Sequence, residues 1–352
     1  MNEILINDIR TSKDFTNLTF SKFQRSEVRK ALIESLENNN IEPSLFWSAE
    51  LICAGHYNDI WNIIIYFIGK FINTANPKLA IYTNIRFENF KNIIINGYRE
   101  NELALRNNEK IRKIIAEIII IICLSKKNHT INTINIKSDN EFDFINLSNK
   151  LKASEMNLAM LVFKENDPRD IYIPINEFVY SISEKVKDKL MACYWIEWLL
   201  KFELLCKKKK NRIYAERRQI ANVDEKNQLD FIWIIWEAIL LESNKLNQFY
   251  QKLIHSILDL FSIKFTNSIK RQRKFLLYYV VTILIDKPNQ NIELINNKKI
   301  ISDIKENLNL IYKEIKKNEI SPKTDYLFED TNTNKLEKTL DKLNLVNDLD
   351  LI

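Results

Sequence analysis

The chain has 352 residues, 52 Lys and Arg against 46 Asp and Glu, and a formal net charge of +6, so it is large enough to bury a substantial core and only mildly basic. Three Gly and six Pro in the whole sequence argue against sandwiches, dinucleotide-binding units and phosphate loops, which use glycine for tight turns and close phosphate approach, and favour helices. Four Cys without C-x-x-C spacing and three widely separated His point to reduced thiols in a reducing compartment and to neither a disulfide framework nor a zinc site.

In chain order, the start MNEILINDIRTSKDF has no basic flank leading into a long apolar run, and it reads as neither a secretory signal nor a lipidation site. Thr19 to Asn38 predicts an amphipathic helix with Phe20, Phe23, Val28, Leu32 and Leu36 on its apolar side. Leu45 to Ala54 and Ile60 to Ile72 predict a helical pair across Gly55-His56-Tyr57-Asn58, with Gly55 as a helix stop. Pro77 opens a helix that runs toward Asn96-Gly97, and Asn107 to Ile122 predicts a strongly apolar one. The apolar runs are shorter than the roughly 20 residues a membrane-crossing helix needs, so they are read as buried helices.

Between Asn128 and Phe144 the text alternates apolar and polar residues at period two, which predicts a short strand or hairpin near 130–145 or a linker between domains. Leu147 to Lys164 predicts a helix, Ile171 to Pro174 an extended link, and Pro174 to Ser183 the next helix. Two Trp-rich helices follow, Lys185 to Cys206 and Glu225 to Glu242, then Lys245 to Phe265, Asn267 to Ile285, and one or two helices within Ile292 to Ile315. The expected fold is therefore all-α, a multi-helix bundle in two helical subdomains. An N-terminal helical domain spans 1–127, a linker or hairpin 128–146, a C-terminal bundle 147–317, and a polar tail 318–352.

The sequence contains no phosphate-loop, dinucleotide-binding, zinc-protease, serine-hydrolase or kinase motif. No catalytic residue, metal ligand or cofactor is assigned. Carboxylates do sit inside apolar helices, at Glu50, Glu117, Glu197, Glu203 and Glu237, and the expectation is that they pair with Lys or Arg at the edge of the core. His56, three residues after Cys53, is read as a turn or cap histidine rather than a general base, because no third group stands with it.

Two features carry what functional signal there is. Trp195 with Trp198, and Trp233 with Trp236, each share a helix face, and the two helices are expected to pair antiparallel with their indoles in a core or against a partner. The second feature is basic. Lys207, Lys208, Lys209, Lys210, Arg212, Arg217 and Arg218 put seven cations in twelve residues with Tyr214 among them, and Lys270, Arg271, Arg273 and Lys274 form another group. Such clusters suit phosphate contacts with base stacking, a protein or membrane-facing surface, or a plain solvated hinge.

FWSAELICAGHYNDIW (Phe46 to Trp61), NELALRNN (Asn101 to Asn108), ACYWIEWLLKFELLCKKKK (Ala192 to Lys210) and DFIWIIWE (Asp230 to Glu237) resemble a conserved, uncharacterised protein family of nucleocytoplasmic large DNA viruses, the giant viruses. That resemblance spans about Phe20 to Ile285 and transfers no catalytic residue. It implies a viral protein in the host cytoplasm, at the viral factory or in the virion, with other viral proteins as partners. A second resemblance covers Ser44 to Lys127 only, where SLFWSAELICAGHYNDIWNIII, ANPKLA and IIAEIIIIICLSKKN are similar to the C-terminal helical collar of clamp-loader-related ATPases. With the phosphate loop missing, it implies oligomerisation or docking beside a replication machine and no nucleotide hydrolysis. The two functional expectations are a non-enzymatic viral assembly or scaffold protein, and a nucleic-acid-binding accessory factor in viral replication or transcription.

Overall fold

The computed structural model describes residues 4–11, 13–97, 101–136, 142, 147–295 and 298–321. The fold is all-α, a multi-helix bundle. In chain order the α-helices are α1 (Arg25–Glu37), α2 (Ile41–Cys53), α3 (Tyr57–Phe67), α4 (Pro77–Ile95), α5 (Glu102–Arg106), α6 (Glu109–Leu124), α7 (Tyr172–Ile182), α8 (Lys189–Lys208), α9 (Ile232–Ser243), α10 (Gln248–Ser262), α11 (Asn267–Asp286) and α12 (Lys298–Lys316). Among the described residues the β-type pairing is an isolated antiparallel bridge between Leu18 and Gln24.

Local chemistry sets most of the boundaries. Asn108, Asp188, Asn247 and Thr266 each accept a hydrogen bond from the backbone amide three residues on, capping α6, α8, α10 and α11. Gly55 ends α2 at φ +74°, a left-handed conformation that spares it the Cβ clash other residues meet, and the next amide, of His56, returns to the Leu51 carbonyl at 2.8 Å. α3 runs on into one π-helical turn, Ile68–Ile72, and stops where Asn73 takes φ 34°.

α11 is the hub. Leu276, Leu277, Tyr278, Tyr279, Val280 and Val281 are consecutive and all buried, so this stretch is covered around its whole circumference, as an interior helix must be. It packs against α3, the π turn, α8, α9 and α10. α10 in turn lies along α4, and α12 packs on α2 and α6, so one apolar core runs through segments before and after residue 127. Gly69 lets the π turn approach α11 closely, since a Cβ there would stand 3.1 Å from the backbone of Phe275 and Leu276.

The N-terminal segment is tied to residues far along the chain. The Ile9 amide donates to the Ile320 carbonyl at 3.0 Å, and the Ile320 amide donates to Asp8 at 2.9 Å. Residues 318–321 therefore return to the start of the described chain, whereas 322–352 of the expected polar tail lie outside the described residues.

Two expectations need correction. Leu147 to Lys164 is not a helix. It holds a short 3-10 turn, Leu158–Leu161, because its amides are used by side chains of α7: Lys152 and Ala153 donate to Glu177 at 2.9 and 3.0 Å, and Ala159 donates to Asn176 at 3.1 Å. Ile171 to Pro174 is not extended either. A 3-10 turn at Arg169–Ile171 leads directly into α7, whose third residue is Pro174, where the missing amide is harmless. Of the expected hairpin near 130–145, residues 130–136 have no regular structure, and 137–141 and 143–146 lie outside the described residues.

Candidate functional site

Trp195, Trp233 and Trp236 are fully buried and Trp198 is 2% exposed. They belong to the core, and their surroundings differ from the expected pair. α8 and α9 are not among the closely packed helix pairs of the described residues, whereas α7 and α11 each pack on both. The Trp198 ring stacks on Phe202 at 4.9 Å, while Trp233 and Trp236 meet Phe261 of α10 edge-on at 5.7 and 5.3 Å. The sequence left out α7 as the separator, although its Ile175 and Phe178, both fully buried, are spaced to face neighbours on one side.

The twelve clustered basic and aromatic residues divide sharply. Lys207, Lys208, Lys209, Lys210, Arg212 and Tyr214 are exposed. Here α8 ends: Lys210 turns the chain at φ 59° and the Asn211 amide returns to Cys206 at 2.9 Å, closing the helix with its basic last turn in water. None of the five cations makes an ion pair with a described residue. Arg217, also exposed, pairs with Glu225 at 2.9 Å. Arg271 is exposed on the first turns of α11.

Arg218, Lys270 and Arg273 are buried, at 1%, 0% and 3% exposure; carboxylates enclose the first two and Arg273 lines an internal cleft, so all three leave the expected exposed surface. Arg218 is held by Asp167 and by Glu237 at 2.9 Å. Burial works against its charge, but the Asp167 and Glu237 hydrogen bonds outweigh that and raise its pKa. Lys270 sits between Asp230 at 2.6 Å and Glu203 at 2.8 Å. Lys274, partly buried, pairs with Glu197 at 2.6 Å. The pairs 270 with 203 and 274 with 197 run in opposite chain directions, so α11 begins beside the lysine-bearing end of α8.

The other polar candidates have internal partners. Glu117, Glu197, Glu203 and Glu237 pair with cations, whereas Glu50 accepts from the Ser21 amide and hydroxyl, the latter at 2.9 Å. His56 is buried with Nε2 at 3.1 Å from the Leu18 carbonyl, and burial first, with the nearby Arg25 charge, lowers its pKa. Burial pushes the Cys53 thiol far above its ordinary value, so it is a poor nucleophile. Among the described residues no three His, Cys, Asp or Glu side chains gather as a metal site requires, and no helix is long and apolar enough to cross a membrane.

One further feature was invisible in the sequence. A cleft of about 780 Å³ opens between α3, α4, α5, α10 and the start of α11, with Trp61, Phe87 and Phe90 along one wall and Arg106 and Arg273 in its lining. Its contributors run from Gly55 to Arg273 in the sequence, each stretch unremarkable alone. Asp259 lies at its rim and accepts from Asn84 at 2.8 Å. Desolvation by the surrounding apolar side chains raises its carboxyl pKa although its outer edge meets solvent. Compared with known proteins, the chain matches no family model, no curated protein and no solved structure.

Proposed function

We propose that the chain is a non-enzymatic nucleic-acid-binding protein that grips a phosphate backbone with Lys207, Lys208, Lys209, Lys210 and Arg212, with Tyr214 beside them for stacking. One observation carries this reading: these five cations are exposed and make no ion pair with a described residue, while Arg218, Lys270 and Lys274 are neutralised internally. Cations kept in water and away from carboxylates are what counterion-releasing contacts require. Five such contacts set a slope of log K against log salt of about −4.5 on duplex and about −3.5 on single strands. Between 50 and 200 mM salt, duplex affinity then falls roughly 500-fold. Titrating labelled duplex and single strand measures this. Binding that persists unchanged when Lys207–Lys210 are replaced by Ala, or no binding at low salt, overturns the proposal.

A second reading, an assembly or scaffold protein of a large DNA virus, draws on a different place. The four core indoles are enclosed, but Met156, Met160 and Leu161 are 55%, 68% and 72% exposed on the surface segment before α7, and adjacent exposed apolar side chains favour protein contact. The viral setting in either reading rests on the family resemblance. Purified virions that contain the chain in stoichiometric amount support the scaffold; its absence from particles removes it.

A further inference from the structure

Arg273, like Arg112, is a buried cation with only neutral partners, but of the two it is Arg273 that lines the cleft and leaves a donor unbonded. Its Nη1 donates to the carbonyls of Phe261 and Ile263 at 2.6 and 2.5 Å, its Nη2 donates to Asn62 Oδ1 at 3.0 Å, and its buried Nε has no acceptor. Every partner is neutral. Arg218 and Lys270, equally buried, each have carboxylates, but among the described residues Arg273 has none. Hydrogen bonds to dipoles satisfy donors without cancelling the charge, and an uncompensated buried cation is costly. Burial pulls its pKa down to about 10, which still leaves the guanidinium charged at neutrality.

Arg273 lines the cleft, and so does Trp61, whose buried Nε1 is a second donor without a partner. Lys264 stands at the same end, donating to Asn58 Oδ1 at 2.8 Å. The acids around the cleft already have partners: Asp259 has Asn84, Glu88 has Lys91 at 3.5 Å, and Glu102 has Arg106 at 3.3 Å. What the cleft lacks is a negatively charged acceptor at the Arg273 end. In the same lining Trp61 packs edge-on to Phe87 at 5.0 Å and tilted on Phe90 at 5.4 Å, an apolar aromatic wall. The volume of about 780 Å³ falls within the roughly 300–1,000 Å³ of small-molecule sites.

We propose that this cleft binds a small monoanionic ligand with an aromatic or branched apolar body, a carboxylate in class, whose anionic group is received by Arg273 and whose body rests on Trp61, Phe87 and Phe90. The site is separate from the Lys207–Arg212 tract, so neither assignment depends on the other.

The test uses the full chain and two probes of one shape, naphthalene-2-carboxylate and 2-naphthalenemethanol, in isothermal titration calorimetry. The expected result is one carboxylate per chain, bound at least tenfold more tightly than the alcohol. Arg273→Gln removes that discrimination. Because Arg273 also holds the carboxyl end of α10, a second variant is needed. Ile94→Trp fills the cleft from a partly exposed position on α4; it abolishes binding of both probes while the thermal midpoint stays where it was. Equal affinity for acid and alcohol, no saturable carboxylate binding up to millimolar concentration, or full carboxylate affinity in Ile94→Trp overturns the assignment.

Discussion

Arg218 belongs by sequence to a basic surface and by structure to the interior, and replacing it with Met separates the two roles. The guanidinium donates five hydrogen bonds, two to Asp167, one to Glu237, and one each to the carbonyls of Glu216 and Val162. Asp167, whose side chain is fully enclosed, also accepts from the Lys164 and Glu216 amides at 2.8 Å. Removing Arg218 strands that carboxylate, and breaking one side of a buried pair costs about 3–5 kcal/mol, a large part of a typical domain stability of roughly 5–15 kcal/mol. Adding Asp167→Asn removes the stranded charge, so the double variant loses less than the sum of the singles, by about 0.5–3 kcal/mol. Urea melts of all four proteins measure this. Acid supplies a second readout. Burial pushes the Asp167 pKa up, but Arg218 and the two amides bring it below the ordinary value. The pair's stabilisation is therefore full above the unfolded carboxylate pKa of about 3.9 and is lost as pH falls through the lower folded value. The gap between parent and Arg218→Met narrows on acidification. A variant within about 0.5 kcal/mol of the parent, or strict additivity in the cycle, refutes the reasoning.

Two further outcomes follow from the packing. Trp198→Ala and Trp236→Ala each lower stability by about 3–5 kcal/mol, the usual loss for a large buried aromatic; unchanged denaturant midpoints in both would mean the indoles do not form the core. Gly69→Ala forces the π turn away from the α11 backbone and lowers stability by about 1–3 kcal/mol, and a thermal midpoint equal to the parent's would show that the two elements separate freely.

The helices were legible because their patterns are long and their caps local. The apolar run 275–281 of α11 and the apolar text of α6 leave little choice. The 147–164 segment misled because an apolar period was present, while the Glu177 and Asn176 side chains that take up its amides lie on another element. The basic clusters misled for a related reason: whether a Lys or Arg faces water depends on a carboxylate elsewhere, and Asp167 lies 51 residues from Arg218. A usable signal did exist. Glu197, Glu203 and Glu237 sit in apolar helices and require counter-charges, and following that requirement would have drawn Lys274, Lys270 and Arg218 inward. The cleft offered no such signal, since Asn62, Ile94 and Arg273 carry no shared motif.

The closure between Ile9 and Ile320 sets a clock on biosynthesis. The neighbouring bond of the same closure, from the Ile320 amide to Asp8, spans 312 positions, and a ribosome adding about 5–20 residues per second needs roughly 15–60 s to deliver the later partner. Throughout that interval the first segment lacks its two bonds to the Ile320 backbone, although Asp8 already has Arg10, and the faces of α2 and α6 that α12 covers stay open. Folding of this chain finishes after most of it has been made, with loop closure over nearly its whole length as a late step, so ribosome-bound intermediates stalled before α12 are the species that holdase chaperones would retain.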